Sequence, residues 1–346
     1  MTPAMIESWL LTYLIHSTVL LGAAWTISRL LGERRLALQE IILRAALAGG
    51  LVTATIQVGT GSEPLAGAVS LGSTDSTAAT TVASTTGSAL LSSPLDGSPT
   101  EPVFDWTLPL LAIWAAGSSI AFIALFCSAR DLRRLLQTRT ARPTSRLVER
   151  LAAAMGLRTS VRLTTTKAIA VPFATGIRQP EICCPERVRD LAPEHQTGLY
   201  AHELAHLVRR DPAWQLLYRF GEAFLVLQPL NRVIRGRLEE IAEHLTDERA
   251  VAVTGNRLGL ARCLVVVAHW GLSSRIGVPA AAATSGPRLD RRVRRLLDSA
   301  RPHAPAPAWA APLAAAVVLA AAFTLPTVAA PPAHGEWPPS APEVSP

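Results

Sequence analysis

The stretch Tyr200-Ala201-His202-Glu203-Leu204-Ala205-His206-Leu207 holds the residue types best suited to chemistry. On a helix, an H-E-x-x-H pattern sets two imidazoles one turn apart on the same face, where both can reach a single metal ion. Glu203 sits about a quarter-turn round the helix and can lean over the ion's open position without ligating it. Zinc on three protein ligands lowers the pKa of its bound water to about 7, and a neighbouring carboxylate can take that water's proton. Such an arrangement hydrolyses amide bonds. The competing reading is a pair of core histidines at i, i+4. Pro193 and Glu194 suit a helix first turn, and no breaker falls between Leu199 and Val208, so the context favours the metal site.

Zinc needs a third protein ligand, and the run Leu238 to Val251 offers carboxylates. Glu243 and Asp247 stand at i, i+4 on one helix face. Glu243 can ligate while Asp247 accepts a hydrogen bond from the far nitrogen of a zinc-bound histidine. Glu239, Glu240 and Glu248 lie in the same run, and a solvated acidic face would look alike. Periodicity does not choose among them.

The elements that must position these groups sit in an apolar chain. Its 346 residues are 49% hydrophobic and only 17% charged, with a mean hydropathy of +0.28. That composition calls for membrane segments. The net charge of +7 could suggest nucleic acid, but its distribution argues otherwise. Every Arg and the single Lys, Lys167, falls within 29–44 or 130–301. Membrane topology empties whole segments of basic residues in this way; a DNA-binding surface does not, and no direct nucleic-acid contact is expected. Cys127, Cys183, Cys184 and Cys263 show no C-x-x-C spacing and read as reduced thiols, in keeping with a cytoplasmic catalytic part.

Four apolar runs are long enough to cross a bilayer: about 9–31, 41–59, 106–128 and 308–330. The first lacks a basic n-region and a cleavage site, so it is not a cleavable signal. His16 inside it reads as a histidine bonded to a neighbouring helix rather than a second metal site. Arg29, Arg34 and Arg35 follow this run, and Arg130 to Arg150 follow the third; both basic clusters mark the cytoplasmic side. Arg44 lies near the start of the second run, where it can snorkel to headgroups. Residues 60–105 are rich in Ser, Thr, Gly and Ala, without Lys or Arg, and read as a disordered extracytoplasmic loop.

Residues 129–305 form the sizeable soluble region. Helices are predicted at 129–140 and 144–155, and short strands at 161–165, 168–173 and 180–185. Further helices follow at about 193–210, 231–253 and 256–270. Residues 214–227 read as an amphipathic helix, with Gln215, Arg219 and Glu222 on one stripe, packed on the domain or lying on the membrane. Arg288 to Ser299 reads as a basic helix with a solvated or headgroup-facing surface. A short extracytoplasmic tail, 331–346, ends the chain. The predicted fold is therefore a mainly α membrane protein with both termini outside. An α+β domain lies between its third and fourth transmembrane helices.

The segments VPFATGIRQPEICCP (171–185), HELAHLVRRDP (202–212), LQPLN (227–231) and EHLTDERAV (243–251) resemble, in order and spacing, the BlaR/MecR-type membrane metallopeptidases. These are gluzincins of peptidase family M-fifty-six. The resemblance spans roughly 130–300. It implies one zinc ion per chain on His202, His206 and Glu243, with Glu203 as the general base. Asp247 takes the aspartate place of the family's E-x-x-x-D pattern, and Asp211 matches a supporting aspartate shortly after the zinc helix. It also implies that Glu181, Ile182, Cys183 and Cys184 lie beside the cleft, on a strand that pairs with substrate at a sheet edge. Tyr218 and His244 are the candidates for stabilising the oxyanion. Thr246 stands where the family often has Cys. Antibiotic-sensing members carry a penicillin-binding domain after the last span; sixteen residues follow here, so direct β-lactam acylation is not expected.

The implied activity is an integral plasma-membrane zinc endopeptidase, its active site cytoplasmic, cleaving a protein or peptide such as a penicillinase-repressor-type regulator. Two other readings are an HtpX-like quality-control protease, which would place clear spans between the two zinc motifs, and a non-catalytic signalling scaffold. An intact Glu203 weighs against the scaffold, because a structural zinc site has no use for a base.

Overall fold

The computed structural model describes residues 2–61, 65–70, 107–143, 145–273, 286–298 and 305–329. The chain is mostly helical, with a small mixed sheet. Helices α1 (Pro3–Leu30), α2 (Leu36–Thr60) and α3 (Thr107–Gln137) lie in the three helical stretches long and apolar enough to cross a bilayer. α1 and α2 pack closely. A Cβ on Gly50 would come within 2.7 Å of Ser17 Cβ, so only glycine permits the approach. Small residues at a helix crossing serve this purpose where apolar burial alone gives no preference in lipid.

Between α2 and α3 only strand β1 (Ala68–Ser70) lies among the described residues; the rest of the expected 60–105 loop falls outside them. β1 pairs in parallel with β6 (Thr327–Ala329), so part of the predicted disordered loop is a strand. The fourth apolar run also differs from expectation. Helix α10 (Ala310–Thr324) has 15 residues, about 22 Å at 1.5 Å per residue, against a hydrocarbon core of about 30 Å. Pro326 explains the stop, since the residue before a proline is driven out of helical geometry. The extended backbone beyond α10 is satisfied by polar side chains of α1 and α2. Gln57 donates to Leu325 O (2.7 Å), His16 Nε2 lies 3.1 Å from Pro326 O, and Ser8 donates to Val328 O. The other ring nitrogen of His16 is 2.8 Å from Thr53 Oγ1 on α2.

α3 continues unbroken through residue 128 to Gln137, absorbing most of the helix predicted at 129–140. The soluble region then builds β2 (Thr140–Arg142), α4 (Arg146–Ala154), β3 (Arg162–Thr166), β4 (Phe173–Thr175) and β5 (Glu181–Pro185). α4 starts at Ser145, whose hydroxyl accepts the Val148 amide. The sheet order is β2-β3-β5-β4, with β3 and β5 parallel and the outer pairs antiparallel. α5 (Pro193–Arg209), α6 (Asp211–Phe224), α7 (Leu230–Thr254), α8 (Arg257–Ser273) and α9 (Gly286–Leu297) follow.

The core under the site joins sheet and helices: Val148 from α4, Ile182 from β5, Leu204 from α5 and Leu260 from α8 are all at most 1% exposed. α7 belongs to two cores. Its C-terminal half, through Ala250 and Val251, packs in that cluster. Its N-terminal half, through Ile234, Leu238 and Ile241, packs with Leu21 of α1 and Leu36 and Leu43 of α2. The region after α3 and the first two helices therefore share a helix. α6 lies against α3: Trp114 Nε1 and Ser118 Oγ both donate to Phe224 O, satisfying a carbonyl at the end of α6, and Phe122 meets Phe220 edge-on. Leu216, Leu217 and Phe220 of α6 remain half exposed.

Candidate active site

α5 and α7 pack face to face and bring the chemistry-bearing residues together. Pro193 at the first helical position and Glu194 in the first turn start α5. The helix ends at Arg210, held in the left-handed conformation at φ 58°. For a non-glycine residue that costs on the order of 1–3 kcal/mol. The bend it makes allows α6 to begin at once, with Pro212 in its first turn, and folds Asp211 back beneath His206. α7 runs 25 residues and stops at Gly255, in the left-handed position typical after a helix end.

His202 Nε2 and His206 Nε2 face each other at 3.2 Å. Glu243 reaches both, its Oε2 3.6 Å from His202 Nε2 and its Oε1 3.6 Å from His206 Nε2. A tetrahedral zinc with nitrogen and oxygen ligands at about 2.0–2.1 Å has them about 3.3 Å apart. The three observed separations straddle that edge length, and two imidazoles with one carboxylate form the donor set of a catalytic rather than a structural zinc site. The residues fit the ion.

Each histidine backs onto an aspartate. His206 Nδ1 lies 2.9 Å from Asp211 Oδ2. His202 Nδ1 lies 3.0 Å from Asp247 Oδ1, an electrostatic contact without hydrogen-bond alignment. Burial would lift both carboxyls, but their partners outweigh it. Asp211 is held below the usual range by His206 and Arg209, and Asp247 well below it, chiefly by Arg292. Burial alone would lower the pKa of His206, yet Asp211, Glu243 and Glu203 together raise it to about 9. A cation is favoured there, a role that a bound metal ion would take.

Glu203 is 7% exposed. Burial pushes its carboxyl up, partly offset by His202 and His206. The buried thiols of Cys184 and Cys263 lie within electrostatic reach of it, and burial raises both, Cys263 to about 12. They are inert walls rather than nucleophiles.

Arg292 of α9 is the residue that sequence reasoning missed. It forms a two-pronged pair with Asp247, Nε to Oδ2 at 2.8 Å and Nη2 to Oδ1 at 2.7 Å. Its Nη1 lies 2.7 Å from Glu243 Oε2. The solvated surface expected for the 288–299 helix holds for Asp290 and Arg294 but not for Arg292, which is 7% exposed. A signal was present. Arg292 falls three after Leu289 and four before Leu296, in line with the buried stripe of its helix.

Of the two residues expected to stabilise an oxyanion, Tyr218 has partners of its own. Tyr218 accepts a hydrogen bond from Arg44 Nε at 2.9 Å and stacks on Trp214, on the side of α6 that faces α2. Arg44 itself, expected to snorkel, is instead held by protein: it pairs with Glu40 and lies over the Trp214 ring. His244 is buried beside Glu243, and burial with the nearby Arg295 drives its pKa down to about 4, so the ring is neutral. Neither residue belongs to the group that could hold a metal. The strand expectation needs correction. β5 is interior, paired on one side to β3 and on the other to β4, so Glu181 to Cys184 have no free edge for substrate. Glu181 is occupied by Arg139 and Thr164, both at 2.7 Å, and Ile182, Cys183 and Cys184 are at most 1% exposed. The outer strand that contacts α5 is β4.

The family model BlaR1 peptidase M56 matches residues 39–294, some three-quarters of the chain. The chain belongs to this peptidase family. No curated protein matches it. Membership makes it a peptidase and implies a membrane-associated metallopeptidase acting on a protein substrate. The match begins at Gln39 in α2, so family-level similarity takes in the second apolar helix and does not stop at the soluble domain.

Proposed function

We propose that this family member is a zinc-dependent endopeptidase in which His202, His206 and Glu243 hold the ion and Glu203 is the general base. The single observation that carries the reading is the near-tetrahedral face made by two Nε2 atoms and one carboxylate, with a buried carboxylate next to it in sequence and each imidazole backed by an aspartate. When bound, zinc supplies Lewis-acid polarisation of the scissile carbonyl and acidifies water. Glu203 takes a proton from the attacking water and returns it to the leaving amine; its raised pKa suits both halves of that exchange. Asp211 orients the His206 ring through a hydrogen bond, and Asp247 places a negative charge behind His202. The free edge of β4, beside α5, is the place for an extended substrate to add as a further strand.

The same proposal places the site in the cytoplasm, with four membrane crossings and the catalytic domain between the third and fourth. Arg29, Arg34 and Arg35 lie at the α1–α2 turn, which contacts the catalytic domain through Glu33 and Arg295. Ser8 and Thr12, toward the opposite end of α1, bond β6 and so mark where the β1–β6 pair lies. The positive-inside rule then assigns the catalytic end to the cytoplasm. α10 and the extended residues after it together make the fourth crossing. The substrate would be a cytoplasmic regulator of the repressor type, in keeping with the family. The HtpX-like reading calls for clear spans between the zinc motifs. That interval holds α6, 14 residues or about 21 Å, which is too short to cross.

The test is Glu203→Gln in the full chain, with zinc content and peptide cleavage measured on the same sample. Zinc retained with cleavage lost supports the assignment; cleavage at the wild-type rate removes Glu203 from the mechanism. Comparing protein levels in cells carrying either form tests the substrate, and accumulation confined to exported proteins would overturn the cytoplasmic site.

A further inference from the structure

We infer that Glu40, in the membrane helix α2, is a positioning residue for the metal ligand His206, acting through Arg209 and Asp211. The inference rests on the proposed ligand role of His206. Asp211 Oδ2 lies 2.9 Å from His206 Nδ1 and also accepts from Arg209 Nε at 3.2 Å, so one carboxylate oxygen is shared between imidazole and guanidinium. The other end of the same guanidinium, Nη2, donates to Glu40 Oε1. Glu40 is 7% exposed, although it sits in a helix apolar enough to cross a bilayer. One turn further along α2, Arg44 pairs with Glu40 at 2.7 Å, stacks on Trp214 and donates to Tyr218 of α6. Charges therefore alternate from Arg44 through Glu40, Arg209 and Asp211 to His206. The chain grips both sides of the corner at Arg210 where α5 turns into α6.

The direction of the effect follows from the sharing. With Glu40 in place, Arg209 divides its charge between two carboxylates, and Asp211 keeps enough electron density to hold the His206 ring and make it a basic ligand. Without Glu40, Arg209 turns wholly to Asp211, and an unpaired Arg44 adds a second cation nearby. The oxygen that serves His206 is drawn away, the ring loosens, and metal binding weakens. A shift of α2 along its axis would act in the same sense, since Glu40 moves with that helix. Of the two histidines, His206 is thus the one that a side-chain chain of ion pairs joins to α2, while the aspartate behind His202 is held by Arg292 of α9.

The experiment uses the full chain in lipid nanodiscs, with Co2+ affinity and the visible absorption of bound Co2+ as readouts beside peptide cleavage. Glu40→Gln weakens Co2+ binding about tenfold, the low end of losses seen when groups behind a ligand are changed, and alters the Co2+ bands; Glu40→Asp recovers most of both. In an Asp211→Asn background, Glu40→Gln adds nothing further, because the pathway is already cut. Glu222→Gln, which breaks a half-buried ion pair to Arg235 that does not lead to a ligand, keeps wild-type affinity and spectrum. Should Glu40→Gln fail to accumulate as folded protein, Arg209→Lys, which keeps the charge and loses the fork, carries the same test. Wild-type Co2+ affinity and bands in Glu40→Gln, or an equal loss with and without Asp211, would overturn the inference. A wild-type chain that takes up no Co2+, or a His206→Ala chain that takes it up normally, would instead overturn the metal-site assignment on which it rests.

Discussion

The two halves of the site are built alike and supported differently. On each, an imidazole turns Nε2 toward Glu243 and Nδ1 toward an aspartate, and an arginine stands behind the aspartate. On the His202 side that arginine is Arg292, from a helix about ninety positions later, and it ties Asp247 and Glu243 together within the soluble domain. On the His206 side it is Arg209, a neighbour in sequence, which passes the contact on to Glu40 in α2. One half is closed by a side chain of α9; the other hands its contact directly to a side chain of α2.

The largest expected effect lies where the halves meet. Glu203→Gln lowers kcat by about 10²–10⁴-fold with metal content unchanged, whereas chelation removes activity entirely; single-turnover peptide cleavage with parallel metal analysis separates the two. Next comes the closed half. Arg292→Met leaves the buried Asp247 without its cation and beside the half-exposed, like-charged Glu243, and breaking a buried pair from one side costs about 3–5 kcal/mol, read as a loss of thermal stability in metal-free protein. A variant as stable as the wild type would break the contrast between halves.

Replacing either aspartate sharpens the comparison. Asp247→Asn and Asp211→Asn each weaken metal binding by about 10–100-fold. The two factors multiply in the double variant if the halves are independent, so a shortfall would show them coupled. The smallest effect belongs to the outer anchor. Arg44→Lys keeps the charge beside Glu40 but loses the flat stacking on Trp214, and about 1 kcal/mol of stability is lost, detectable as a small drop in unfolding temperature with metal affinity nearly intact.

Much of the site could be read in the chain because its parts are local. His202, Glu203 and His206 lie within five residues, and helical spacing by itself fixes their relation. Glu243 and Asp247 obey the same spacing, but choosing them among five neighbouring carboxylates took the family resemblance. What escaped was long-range. Strand order made β5 interior, with β3 on one side and β4 on the other, and left β4 as the outer strand among the described residues. Arg44 looked destined for headgroups because an isolated apolar helix offers nothing else; a second helix, α6, supplied an aromatic ring and a hydroxyl. Arg292 was hidden in a run of arginines of which one points inward.

The sequence by itself determined the shared helix face of His202 and His206 and the division into apolar and basic segments, because helical periodicity and transfer free energy act on neighbours along the chain. Only the tertiary structure decided which arginine stands behind which aspartate, which strand is an edge, and that a glutamate in an apolar helix meets the corner of the metal-binding helix. Those contacts join residues up to 169 positions apart. A buried charge takes whichever partner packing delivers, whatever its place in the chain.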